Sequence, residues 1–459
     1  MALPKLIEIV PLDKPVQAGV IVPGSKSITN RSLILAALAK GETKLKSALW
    51  SEDTQIMVEA LKTLGFYVKV TPDPNEFCNR TIVVRGFGGK VPRGGTSSKP
   101  LELYVGNAGT AARFLSAFVC LGSGVYKLTG VPRMHDRPQA ALFDALRKPA
   151  LHEVVLGIFS SDLRRIGYRI ESTNGKLPVT IYGAGPRPGK TKVSIIESSQ
   201  FASALMLCAK AGQWTVECVG QENADELPYV EMTERMIESF PSQGGQSFKI
   251  EPDSSSGSYF LGADWLLNVD QDSATAKSQI RVPNWPKSSW QIDTMFPNFL
   301  RPTLPRTISR LNELGDSIMT AIVLAPFNMS NDRFHRSVIF TNLGRLRVQE
   351  CDRVSALNDE LMKCGAKIEE NKIDDTLTVY PSELHGAEIE TYNDHRMAMC
   401  FAILGLKIPG IKIKNQSCVK KTFPNFFQKF AMPPPHGLGA TVLDAYTGRK
   451  LAMDELFAH

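Results

Sequence analysis

Six times along the chain, a short polar cluster runs into an apolar stretch with helical spacing. Ser25, Lys26, Ser27, Thr29, Asn30 and Arg31 lead into 32–39, and Asn107, Gly109 and Thr110 into 111–121. Ser198, Ser199 and Gln200 lead into 201–209, and Asp253, Ser254, Ser255 and Ser256 into 257–267. The last two clusters are Gly315, Asp316 and Ser317 before 318–325, and Asn393, Asp394 and His395 before 396–406. The spacing, roughly 60 to 90 residues, is far beyond a solenoid period. Between the clusters lie strand-like stretches closed by turn residues, such as 81–85 before Gly86 and 179–182 before Gly183. Residues 367–369 through 377–380 read as a hairpin. The pattern predicts six α/β units, three per domain.

The chemistry of the clusters follows from their position. Ser, Thr, Asn and Asp cap helices because their side chains accept first-turn amide hydrogens. A helix start also carries partial positive charge and unpaired N–H donors. Six such ends, if they converge, attract anions before any cation is added. Plain capping accounts for any one cluster alone. Lys26, Arg31, Arg113 and Arg396, inside or beside the clusters, point beyond capping to bound anions.

Length and composition narrow the class. A chain of 459 residues is too long for one ordinary core, so two domains of roughly 200 residues each are expected. The net charge of +7 suits acidic small molecules. No basic run interleaved with aromatics appears, which argues against nucleic acid. The eight cysteines form no C-x-x-C pair and have no histidine at zinc-ligand spacing, so no metal is expected. They read as reduced core thiols of a cytoplasmic protein. Residues 1–11 lack the features of a signal peptide, and no apolar run approaches the ~18 residues that span a membrane. An organelle address upstream is the alternative.

Gly19, Gly24, Lys26 and Ser27 nearly spell a phosphate-binding P-loop, but Ser25 intrudes between the second glycine and the lysine. The same segment instead resembles the Gly-Ser-Lys-Ser-x-x-Asn-Arg signature of 5-enolpyruvylshikimate-3-phosphate (EPSP) synthases. The resemblance continues in order through Gly106 to Arg113 and Leu128 to Gly130, then Arg133 to Pro138 and Ser198 to Gln200. Beyond these come Pro228-Tyr229, Asp253 to Ser255, Gly315-Asp316, Arg347 to Arg353, Tyr392 to Met399, and Lys421 to Pro424. Each match is weak alone; the ordered set is specific.

The resemblance implies an α/β fold of two similar domains, each of three βαβαββ units. Residues 24–250 form one, 1–23 with 251–432 the other, and the domains close on substrates at helix N-termini. It implies transfer of the enolpyruvyl group of phosphoenolpyruvate to the 5-hydroxyl of shikimate 3-phosphate, with phosphate released and no cofactor. By the same resemblance, phosphoenolpyruvate meets Lys26, Arg137, Arg353, Arg396 and Lys421, with Gly109 leaving room at the backbone. Shikimate 3-phosphate meets Ser27, Arg31, Ser198, Ser199, Gln200, Tyr229 and Asp316. Asp316 and Glu350 are the proton-transfer candidates, with Lys26 assisting, and His395 supports from behind. Two phosphates and two carboxylates demand this many cations, and arginine forks grip such groups in bidentate fashion. The room at Gly109 predicts binding of glyphosate, the family's inhibitor. Monomer is the family default.

Some positions depart from the family pattern. Gln349 stands where lysine is common, Arg345 where asparagine is, and Glu226 where a serine is expected. A carboxylate beside a substrate phosphate repels it unless turned away or paired, and Arg345 is a candidate to compensate for Gln349. Residues 148–164 interrupt the pattern, and Pro149 would end the helix begun at 144–147. The segment reads either as translated intron sequence of a eukaryotic source, its ends compatible with splice-donor and branch-like codons, or as a tolerated surface loop. Pro433, Pro434 and Pro435 read as a stiff spacer before a poorly ordered tail, 436–459. Two rival functions remain: transfer of the same group to UDP-N-acetylglucosamine, and an inactive relative that binds anions or a partner protein.

Overall fold

A computed structural model of the chain describes residues 3–147, 167–220, 227–269, 277–283, 285–300, 303–328 and 337–459. The 148–164 segment and Glu226 lie outside the described residues. The chain divides into two compact units, Gly24–Glu251 and Met1–Pro23 with Pro252–His459.

In Gly24–Glu251, three helices open at predicted polar clusters: Lys26–Leu38, Gly109–Phe118 and Ser199–Gly212. They pack on one another pairwise. Every residue of Gly109–Phe118 is buried, and Lys26–Leu38 buries Ile28, Leu33, Ile34, Ala36 and Ala37 together with Thr29, Asn30, Arg31 and Ser32. Helices apolar on most sides belong inside a core, and sheets cover this one. Gln246–Lys249, Lys40–Leu49, Asn79–Phe87 and Tyr67–Pro72 form one sheet in that order. Leu101–Tyr104, Ser123–Thr129, Val179–Ala184 and Arg169–Glu171 form a second. Each sheet begins with one parallel pair and continues with two antiparallel pairs. Gly189–Ser194 and Trp214–Val219 make a parallel two-stranded sheet.

The other unit repeats the plan. Helices Ser254–Asn268, Ile318–Leu324 and His395–Leu404 open at the remaining clusters and also pack pairwise. The sheet Thr307–Ser309, Val338–Thr341, Thr376–Tyr380, Lys367–Asn371 follows the same parallel-then-antiparallel order. Its last two strands are the hairpin read from the sequence, with Lys367 opposite Tyr380. Gln279–Arg281 runs parallel to Gln17–Gly19.

The reading of 436–459 as a poorly ordered tail is corrected. Thr441–Asp444 pairs antiparallel with Leu6–Val10, Thr441 opposite Val10 and Asp444 opposite Ile7. It is the edge strand of the sheet Glu388–Ile389, Lys412–Lys414, Leu6–Val10, Thr441–Asp444. This sheet has the same order of parallel and antiparallel pairs as the other three. Leu438, Val442, Leu451, Leu456 and Ala458 are buried, and Arg449 forks onto both oxygens of Glu455 at 2.8 and 2.9 Å. Nor is the proline run a spacer. The Pro435 carbonyl accepts from the Gly19 amide at 2.8 Å, and the chain turns back there so that the Leu438 amide reaches the Lys429 carbonyl.

All eight cysteines are unpaired thiols, and six are buried. Among the described residues no helix is long and apolar enough to cross a membrane.

Candidate active site

In the unit that includes the C-terminal half, the three helix starts meet at one end of the helix core. Buried Asp293, on the 3-10 turn Ile292–Asn298, ties two of them together. Its carboxylate accepts from Ser255 Oγ at 2.5 Å, and from the Ser317 amide at 3.0 Å and Oγ at 2.5 Å. Burial, then the neighbouring Asp316 charge, push the Asp293 carboxyl above its ordinary range. Real caps close two starts: Asp253 accepts from the Ser256 amide at 2.7 Å and Asp394 from the Arg396 amide at 2.8 Å.

Asp316 stands just before helix Ile318–Leu324 and is ringed by guanidinium groups. Arg396 Nη2 lies 2.9 Å from Oδ2, and Arg310 Nη2 and Arg353 Nη1 lie 3.5 and 3.7 Å from Oδ1. Burial works to raise this carboxyl, but Arg396, Arg353 and Arg310 outweigh it and hold Asp316 well below the carboxylate range. Asp316 is therefore held as the carboxylate.

Arg353 opens helix Arg353–Lys363 behind the cap Asp352. Its Nε lies 2.7 Å from Asp394 Oδ2, and its Nη2 lies 3.0 Å from Glu350 Oε2. Burial alone would lower its pKa; Asp394, Glu350 and Asp316 override that and fix the positive charge. Glu350 turns its other oxygen to Lys421 Nζ at 2.6 Å. Lys421 ends the 3-10 turn Gln416–Lys421, and the phenylalanines that follow, Phe423 and Phe426, anchor it in an aromatic cluster. Arg396 also reaches the buried Tyr259 hydroxyl at 3.3 Å. Asp316, Glu350, Arg353, Arg396 and Lys421, all predicted from sequence, thus form one connected ion network. Buried His395 stands 3.6 Å from Asp394, behind Arg353. Burial, then the Asp394 charge, push the adjacent Cys351 thiol up to about 12, which removes it as a nucleophile.

The unit Gly24–Glu251 carries a second cationic group. Lys26, first in its helix, pairs with buried Asp53 at 3.1 Å. Gly109 opens the next helix, where an added Cβ would lie 2.5 Å from Arg113 Nη1 and 2.8 Å from Arg137 Nη1. Two guanidinium groups therefore close on one stretch of backbone that only glycine leaves bare. Arg113 donates to Gln200 Oε1 at 2.9 Å over the Phe201 ring. Ser198 caps helix Ser199–Gly212, accepting from the Gln200 amide at 3.3 Å, and Ser199 is buried beside it. Arg31 lies deeper than its predicted role suggests. Its guanidinium donates to Thr233 Oγ1 at 2.8 Å, the Ser27 carbonyl at 3.0 Å, Ser203 Oγ at 3.1 Å and the Tyr229 carbonyl at 3.4 Å. In this arrangement it pins three helices together.

A sequence model of EPSP synthase (3-phosphoshikimate 1-carboxyvinyltransferase) matches residues 11–152 and 157–430. The chain belongs to the EPSP synthase family. The 3-phosphoshikimate 1-carboxyvinyltransferase of Nostoc punctiforme is 33% identical, the match covering 92% of this chain and 98% of the relative. That of Tolumonas auensis is 34% identical over 91% and 96%. An EPSP synthase structure from Acinetobacter baumannii superposes with a TM-score of 0.70 at 20% identity, over 95% of this chain and 99% of that one. The enolpyruvyl transferase NikO from Streptomyces tendae gives 0.63 at 13%, over 98% and 99%. The fold is that of the enolpyruvyl transferases.

Membership in the EPSP synthase family does not by itself point to the supporting residues that the sequence reading missed. Asp53, Asp293, Arg310 and Tyr259 each act on a predicted residue without belonging to its signature. Only Asp394 left a trace, as a cap residue next to His395.

Proposed function

We propose that this protein transfers the enolpyruvyl group of phosphoenolpyruvate to the 5-hydroxyl of shikimate 3-phosphate and releases phosphate. One observation carries the reading beyond family membership. Asp316 and Glu350 occupy the guanidinium and ammonium groups that a phosphate or carboxylate would need. The site is held together by its own carboxylates until anionic substrates compete for the same donors.

Roles follow from charge and position. Lys26, Arg137, Arg353, Arg396 and Lys421 bind phosphoenolpyruvate, with backbone room at Gly109. Ser27, Arg31, Ser198, Ser199, Gln200 and Tyr229 serve shikimate 3-phosphate, Arg31 by holding the helices that present them. Ionised Asp316 takes the proton of the attacking hydroxyl. The hydroxyl oxygen bonds to C2 of phosphoenolpyruvate while C3 gains a proton passed from the Lys421 ammonium through Glu350, with Lys26 assisting. The tetrahedral intermediate then loses phosphate as a C3 proton returns to the protein. We place the enzyme in the cytoplasm on the strength of its eight unpaired thiols, and take it as a monomer, the family default.

Release of phosphate from phosphoenolpyruvate, measured with shikimate 3-phosphate, with UDP-N-acetylglucosamine and with neither, tests the assignment. Release that needs shikimate 3-phosphate is expected. Release driven by the sugar nucleotide would move the acceptor assignment, and no release with either would mark an inactive relative, with Gln349 the first suspect.

A further inference from the structure

Three guanidinium groups face Asp316, and they are not equivalent. Arg353 and Arg396 are the first and second residues of helices Arg353–Lys363 and His395–Leu404. Arg353 divides its charge among Asp394, Glu350 and Asp316, and Arg396, the most exposed of the three at 12%, leans on Tyr259 as well. Arg310 comes from elsewhere. It directly follows strand Thr307–Ser309, its amide held by the Thr341 carbonyl at 3.1 Å, and its side chain is 1% exposed. Arg353 is nearly as buried, at 2%, so what sets Arg310 apart is its place: it follows a sheet strand, whereas Arg353 and Arg396 stand at helix starts.

We propose that Arg310 is a positioning residue for the transfer: it stays paired with Asp316, keeping that carboxylate in place and charged, while Arg353 and Arg396 turn to the anionic substrate. The inference rests on the function proposed above. Without such a cation, Asp316 would lose its partners as substrate drew the other two away, leaving a carboxylate that burial and the neighbouring Glu350 charge both push toward protonation. Arg310 is thus the counter-ion that does not leave. Nothing near it in sequence marks it, since Ser309 and Leu311 belong to no signature.

The test is a titration of the Asp316 carboxyl by carbon-13 NMR of aspartate-labelled protein, assigned by difference from Asp316→Asn. It is run on the parent, Arg310→Gln and Arg310→Lys. The midpoint should rise by about one pH unit in Arg310→Gln and stay near the parental value in Arg310→Lys, which keeps the charge. In an active parent, the acid limb of the kcat profile at saturating substrates should move in the same direction and further, because Arg353 and Arg396 have then turned away. An unmoved midpoint in folded Arg310→Gln overturns the proposal, as does an equal movement in Arg310→Lys. If Arg310→Gln does not fold, the double variant Arg310→Gln with Asp316→Asn decides. Recovery of folding supports a pairing role, and continued failure assigns Arg310 to packing alone. A parent inactive toward shikimate 3-phosphate would count against the proposed function, while the titration would still decide the pairing.

Discussion

At position 109, one methyl group would sit 2.5 Å from the Arg113 guanidinium and 2.8 Å from that of Arg137. Gly109→Ala must displace both guanidinium groups. We expect the KM for phosphoenolpyruvate to rise about tenfold or more, the equivalent of about 1.4 kcal/mol, and the KM for shikimate 3-phosphate to rise clearly less. Equal rises in both would contradict the assignment of this backbone to phosphoenolpyruvate. Arg353 and Asp394 are a buried pair, and Arg353→Met strands the Asp394 charge; a stability loss of about 3–5 kcal/mol in urea unfolding is expected. Asp316 gives a pH signature. Its folded pKa is depressed, so its stabilising effect is complete above the unfolded value, about 4, and is lost as pH falls toward the folded value. Asp316→Asn should therefore be less stable than the parent at pH 7, and the gap should narrow as pH drops below about 4. A gap independent of pH would mean that charge is not what Asp316 contributes. The residues that the sequence signatures name, such as Arg353 and Lys421, sit among fixed neighbours in the chain. Arg310, Asp293 and Asp53 act across the fold from single positions, and no local pattern can mark such residues.

The elements show the same division. All six polar clusters open helices, three of them closed by a side-chain cap from Ser198, Asp253 or Asp394, because polar starts and apolar periodicity are local properties of the chain. The Asp293 bridge between Ser255 and Ser317 shows the further step, in which the starts are bound to one another. The last strand was missed because its partner, Leu6–Val10, lies at the other end of the chain, and a four-residue strand carries little pattern of its own. If residues 436–459 complete this sheet, Leu456→Ala should cost about 2–5 kcal/mol, since the side chain is fully buried. A loose tail would tolerate the change with no shift in the urea midpoint.

For the whole molecule, the sixfold pattern of the sequence becomes two units built on one plan. Each has three mutually packed helices and two four-stranded sheets with one parallel and two antiparallel pairs. The strand order recurs even where the strands come from opposite ends of the chain. Each unit also carries its own cations at its helix starts, Lys26, Arg113 and Arg137 in one and Arg353, Arg396 and Lys421 in the other. The central claim is that these cations serve the transfer from phosphoenolpyruvate to shikimate 3-phosphate. Mass spectrometry of the acceptor after a single turnover tests it most directly, on the parent and on Lys26→Ala and Arg396→Ala, one variant in each unit. The parent should convert shikimate 3-phosphate to its carboxyvinyl ether, and each variant, still folded, should form little or none. Undiminished product from either variant would contradict the account.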